Sequence, residues 1–240
     1  MMKTLFAILS VLLFLKASGQ ERITFKASDS LTVYANLYET DKTQPYIILF
    51  HQAGFSKGEY KESAAKLTKL GYNCLAVDLR SGDGVNFIQN ETAKEAKSKN
   101  LPTEYINSEP DMKAAIDWAY SKSQQPVILF GSSYSASLAL KLAKANPRVK
   151  AVIAFSPGEY FKPGLVIKDQ LKGFDKPCFV ACSQREYTYM SDLLLNIPDK
   201  LKTVFKPKEG TGEHGSKALW STCPTSNEYW LALFIFFKTI

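Results

Sequence analysis

The string Gly131-Ser132-Ser133-Tyr134-Ser135 places a hydroxyl between an apolar run, Val127–Phe130, and a helical pattern that begins at Ala136. A side chain on a tight strand-to-helix corner projects above the sheet edge. The first turn of the helix then offers amide donors and a positive dipole to developing negative charge. Ser133 is therefore the candidate nucleophile. The spacing is G-x-S-x-S, with Ser135 where a second glycine is usual, and a helix start capped by Ser132 or Ser133 is the structural alternative. Strand-turn-helix context favours the nucleophile.

A serine hydroxyl needs a base to take its proton, and the chain holds two histidines, His51 and His214. His51 ends the apolar run Pro45–His51. His214 lies in Glu209-Gly210-Thr211-Gly212-Glu213-His214-Gly215, after the last strand pattern, in the kind of loop where open α/β sheets place their sites. A third group must orient the imidazole and stabilise its cation. Glu186 is the first carboxylate after the run Cys178–Cys182, with Asp192 and Asp199 as rivals further along. An ion pair with Arg185 is the structural alternative for Glu186.

These residues need a scaffold that brings strand ends together. Arg22–Ala27 and Leu31–Leu37 alternate in polarity around Ser28-Asp29-Ser30, which predicts an antiparallel hairpin. Pro45–His51, Cys74–Asp78, Val127–Gly131, Val149–Phe155, Cys178–Cys182 and Lys202–Phe205 are short apolar runs, as expected of strands covered on both faces of a mostly parallel sheet. Helices are predicted over Glu59–Leu70, from a cap at Ser108, over Ala136–Ala145 and over Asn227–Lys238, the last apolar almost all round and so expected to be buried. Residues 82–107 read as a polar loop rimming the site. Strands alternating with helices imply an α/β fold with right-handed crossovers.

The chain has 240 residues, 45% hydrophobic and 22% charged, which excludes a disordered tail or a collagen-like rod. Its net charge of +7 is scattered rather than clustered with aromatics, so no nucleic-acid partner is expected. Lys3, the apolar run Leu5–Leu15 and Lys16-Ala17-Ser18-Gly19 have the pattern of a secretory signal peptide cleaved after Gly19. Its apolar run is roughly half of the ~20 residues that span a bilayer, so no stable membrane anchor is expected. Loss of Lys3 and Lys16 lowers the balance from +7 to +5. The mature chain, residues 20–240, reads as one exported domain. An oxidising compartment favours one bridge among Cys178, Cys182 and Cys223 without naming the pair, while Cys74 reads as a buried thiol. No zinc-type cysteine spacing is present in the sequence.

The order Ser133, Glu186, His214 resembles the α/β-hydrolase superfamily, especially its compact dienelactone-hydrolase-like serine hydrolases. The resemblance implies the α/β-hydrolase fold: a mostly parallel central sheet, an N-terminal antiparallel hairpin, helices on both faces and no cap domain. It implies Ser133 as nucleophile, His214 as base, Glu186 as orienting acid, and the backbone N–H groups of Gln52 and Tyr134 as oxyanion hole. His51 matches the residue that opens the oxyanion loop, and Asp78-Leu79-Arg80 matches a scaffold stretch. His51, Tyr160, Phe161 and Tyr187 are candidates to line the pocket. The implied reaction is hydrolysis of small or polymer-borne esters without metal or cofactor. A non-catalytic binding protein and a serine peptidase of the same fold are the alternatives.

Overall fold

The computed structural model describes residues 20–240, and the expected leader, residues 1–19, lies outside the described residues. The strands, numbered along the chain, are β1 Gln20–Lys26, β2 Thr32–Tyr38, β3 Tyr46–Phe50, β4 Asn73–Val77, β5 Gly84–Val85, β6 Ile88–Gln89, β7 Val127–Ser132, β8 Val149–Phe155, β9 Cys178–Ala181 and β10 Lys202–Phe205. The helices are α1 Lys61–Lys69, α2 Glu91–Ser98, α3 Glu109–Ser123, α4 Tyr134–Ala143, α5 Ile167–Gln170, α6 Tyr187–Leu193 and α7 Ser226–Phe237.

Eight strands form one sheet in the order β1-β2-β4-β3-β7-β8-β9-β10. The predicted N-terminal hairpin pairs antiparallel, β2 pairs antiparallel with β4, and every other pairing within this sheet is parallel. This is the α/β-hydrolase fold, with helices flanking the sheet.

Side chains alternate across a strand, so an uninterrupted apolar run feeds two cores at once. Ile48, Phe50, Leu129, Val152 and Val180 join one core with Met112, Ala115 and Ile116 of α3 and Leu138 of α4. Ile47, Leu49, Ile128, Ile153 and Phe179 join the other with Leu67 of α1 and Tyr229, Leu233 and Phe236 of α7. Burial of each Val, Leu, Ile, Phe or Met side chain among them stabilises the fold by about 1.5–3 kcal/mol.

Several local expectations are corrected. Residues 82–107 contain the small β5–β6 hairpin and α2, whose first turn is capped by Asn90 Oδ1 accepting Ala93 N–H at 2.8 Å. Ser108 precedes α3 without capping it, its hydroxyl standing 3.4 Å from that of Tyr134. Helix α4 starts two residues before the expected Ala136, because Tyr134 already turns out of the corner. One face of α7 is buried, but Leu231, Phe234 and Ile235 are exposed, since the sheet covers one side of it. The expected disulfide is absent: all four thiols are free and buried, and burial pushes those of Cys178 and Cys182 up to about 12.

Candidate active site

The carboxyl ends of the parallel strands gather the candidate residues. Ser133 follows β7 at φ 60° and ψ −124°, a backbone region that L residues rarely occupy. Its N–H donates to Phe155 O at 2.8 Å, which ties the corner to β8. The turn requires Gly131, where a Cβ would stand 2.4 Å from Ala136 Cα. Ser135 replaces the usual glycine for a visible reason. Its hydroxyl donates to Phe50 O at 2.7 Å and accepts Ser132 N–H at 3.0 Å, pinning the corner to the end of β3.

Glu186 lies on the turn between β9 and α6. Its Oε1 faces His214 Nδ1 at 2.5 Å, while Oε2 accepts Ser183 N–H at 2.8 Å, Ser183 Oγ at 2.9 Å and Ser156 Oγ at 2.8 Å. Burial pushes this carboxyl up, yet the hydrogen bonds from His214, Ser183 and Ser156 outweigh it and hold Glu186 at about 2. The rivals stand elsewhere: Asp192 pairs with Lys168, and Asp199 with Lys202.

His214 leaves its loop at the rim, and the next two residues are stitched inward. Gly215 N–H donates to Ser156 Oγ at 2.9 Å and Ser216 N–H to Ser132 Oγ at 2.8 Å. Gly215 has φ +68°, and a Cβ there would meet Ser132 Oγ at 2.5 Å, so only glycine lets the loop come this close. Among the described residues no hydrogen bond joins Ser133 Oγ to His214; the two segments meet at Ser132, one residue before Ser133, and Ser216, two residues after His214.

The loop after β3 differs from expectation in two ways. His51, expected to line the pocket, is sealed inside. Its Nε2 accepts Leu79 N–H at 2.9 Å, so Nδ1 carries the hydrogen donated to Gln52 O at 2.8 Å. Burial pushes its pKa below the ordinary range, leaving a neutral brace between β3 and β4. Gln52 N–H, expected in the oxyanion hole, instead donates to Glu59 Oε2 at 2.7 Å. Ala53 N–H and Tyr134 N–H have no hydrogen-bond partner among the described residues. Asp78 anchors the far end of this loop, accepting Lys57 N–H at 2.7 Å and Lys57 Nζ at 2.6 Å. Arg80 is scaffold, paired with Asp111 and Asp29.

Sequence reasoning missed Glu59, Ser156 and Ser216. Glu59 is fully buried and accepts Ser216 Oγ at 2.5 Å as well as Gln52 N–H. Burial pushes its carboxyl above the usual range, opposed by Ser216, Ser132 and Gln52. Its sequence setting is that of an ordinary helix start. Ser156 did carry a signal, since it follows the apolar run of β8 at the same sheet edge as Ser133. Of the remaining candidates, Tyr160 and Phe161 line a cavity of about 410 Å³. Tyr187 stands apart from that cavity, beneath the Lys206 ammonium at 4.9 Å. Among the described residues no cluster of three or more His, Cys, Asp or Glu could hold a metal, and no helix is long and apolar enough to cross a membrane.

Solved structures share this topology. An esterase of Pyrococcus furiosus superposes with a TM-score of 0.67 at 15% identity, covering 92% of each chain. A dienelactone hydrolase of Anabaena variabilis gives 0.67 at 17%, covering 91% of this chain and 95% of its own. The esterase domain of a Rhodothermus marinus protein gives 0.60 at 17%, with the same coverage. These likenesses speak to the fold. A search of the curated proteins finds no match. The model of the dienelactone hydrolase family matches residues 33–192, from β2 through the Ser133 corner to the helix after Glu186, and the chain belongs to that family.

Proposed function

We propose that the protein is an exported serine hydrolase of carboxylic esters, with Ser133 as nucleophile, His214 as base and then acid, and Glu186 as the orienting carboxylate. The observation that carries this reading is the Glu186–His214 hydrogen bond of 2.5 Å, on a loop stitched to Ser132 and Ser156 beside the Ser133 corner. Glu186 holds the Nδ1–H tautomer of His214, which leaves Nε2 as the proton acceptor. Relatives named as esterases and a dienelactone hydrolase support the same class of reaction.

In the first step Ser133 Oγ bonds to the ester carbonyl carbon while its proton passes to His214 Nε2. The negative oxygen is received by the N–H groups of Tyr134 and Ala53, the two unpartnered amides that follow the adjacent strands β7 and β3. Ala53 takes the role expected of Gln52, whose amide is held by Glu59. The carbon–oxygen bond to the alcohol then breaks, and the alcohol leaves with the proton from His214. Water attacks the acyl-enzyme, gives a proton to His214, and the acid departs as that proton returns to Ser133. Hydrogen bonds between nucleophile and base are commonly long before substrate arrives and tighten in the complex.

A fluorophosphonate probe tests the assignment. Covalent label on Ser133, absent in Ser133→Ala and strongly reduced in His214→Ala, is the expected result, together with turnover of p-nitrophenyl acetate. A folded, unlabelled protein would point to a binding role. Turnover of peptide amides in preference to esters would point to a peptidase. Export is tested by N-terminal sequencing of the secreted protein, with Gln20 expected first.

A further inference from the structure

The cavity of about 410 Å³ near the Ser133 corner is walled by Tyr105, Ile106, Tyr160, Phe161 and Leu165. Two of its walls are continuous with the catalytic groups. The Tyr105 ring stacks on Tyr134, the residue after Ser133, with centroids 4.6 Å apart and planes 16° from parallel. The Tyr160 hydroxyl donates to Ser156 O at 3.0 Å, and Ser156 Oγ in turn donates to Glu186. The phenol end of Tyr160 is thus tied to the residue that holds Glu186, while the same side chain lines the cavity. The cavity therefore adjoins the Ser133 corner through Tyr134 on one side and Ser156 on the other, within reach of one substituent of a carbonyl seated there.

The chemistry of the walls selects that substituent. Tyr105, Ile106 and Tyr160 leave 38%, 39% and 37% of their surface in contact with solvent, an apolar and aromatic lining that is uncovered in the free protein. Planar rings gain from offset stacking on such walls beyond what their area alone contributes. The volume lies at the lower end of the range of small-molecule sites, enough for one ring and a short linker rather than a long acyl chain. Charged groups at the cavity are one of each sign, Lys162 and Glu104, which gives no net preference for an ionic substituent.

We infer that the ester recognised by this site carries a single uncharged aromatic ring, on its acyl or its alcohol side, held between Tyr105, Ile106 and Tyr160. This rests on the hydrolase reading of Ser133 and adds the substrate class to it.

Matched ester pairs test the inference: benzyl acetate against ethyl acetate for the alcohol side, and methyl phenylacetate against methyl propionate for the acyl side. The expected result is at least a tenfold preference in kcat/KM for the aromatic member of one pair, carried mainly by KM, and its collapse in Ile106→Trp, which fills the cavity. Gly164→Trp is the second filling variant, because a Cβ there meets nothing closer than Phe161 O at 3.8 Å. Preferences below tenfold in both pairs, or a preference that survives filling in a folded variant, overturn the inference. Absence of all ester turnover together with absence of fluorophosphonate label would instead sink the hydrolase reading. In that event calorimetric binding of benzyl acetate to the wild-type and filled proteins decides the cavity's preference by itself.

Discussion

The carboxylate of Glu59 accepts the backbone N–H of Gln52 at 2.7 Å, and this one contact commits the first amide of the loop after β3 to the interior. With Gln52 N–H turned inward, the next amide, that of Ala53, is the one without a partner. The same carboxylate accepts a hydrogen bond from Ser216 Oγ, so the loop after β3 and the chain after His214 share one buried anchor.

Removing that anchor has a defined cost. Glu59→Ala leaves the Gln52 amide and the Ser216 hydroxyl buried and unpaired and opens a void, which should lower stability by about 2–4 kcal/mol in urea unfolding. Glu59→Gln keeps an acceptor for Gln52 and a donor for Ser216, and is expected to recover at least half of that loss. Equal destabilisation by the two variants would contradict the anchor role.

The Ala53 amide is tested by Ala53→Pro, which removes the N–H. Loss of one oxyanion donor typically costs ~3–4 kcal/mol of transition-state stabilisation, or roughly 10²–10³-fold in kcat. The expected signature is a fall in kcat with KM changed by less than about threefold. A variant that binds and turns over at the wild-type rate would show that Ala53 N–H does not receive the oxyanion.

Glu186 links the site to acid stability. Its folded pKa, held at about 2, lies below the ordinary glutamate value of 4.5, so its interactions add stability above pH 4.5 that is lost as pH falls toward 2. The stability gap between wild type and Glu186→Gln should therefore be full at pH 7 and shrink across that window. Glu91 and Glu95, also held at about 2, sharpen the acid transition of both proteins. A gap that stays constant from pH 7 to pH 2 would count against the charge-assisted pairing.

The four buried thiols make a further expectation simple to check. Native protein should react with none of its cysteines in an Ellman assay and with four after unfolding in denaturant, and added reductant should leave Tm unchanged. A mass deficit of two hydrogens in the non-reduced protein would reveal a bridge instead.

Gly215 is where backbone freedom and site geometry coincide. Gly215→Ala places a methyl against Ser132 Oγ at a positive φ, so the His214 loop must lift. We expect esterase turnover to fall at least tenfold while the sheet, followed by far-ultraviolet circular dichroism, stays intact. Undiminished turnover would mean that the stitch at Ser132 does not position the histidine.

The amino-acid order by itself determined the sheet and pointed to Ser133, Glu186 and His214 as the candidate positions. Unbroken apolar runs demand burial on both faces, and that demand is local enough to read along the chain, as is the small-residue corner at Ser133. The chain order Ser133, Glu186, His214 named residues far apart in sequence, and the Glu186–His214 contact follows from strand ends meeting at one edge. The tertiary structure alone decided how the β3 loop is used. Whether Gln52 or Ala53 offers its amide depends on Glu59, seven residues away on a short helical turn, and on Ser216 from the opposite end of the chain. Those contacts have no periodicity and no spacing rule. They arise because a buried carboxylate must find donors wherever the packed fold brings them within reach.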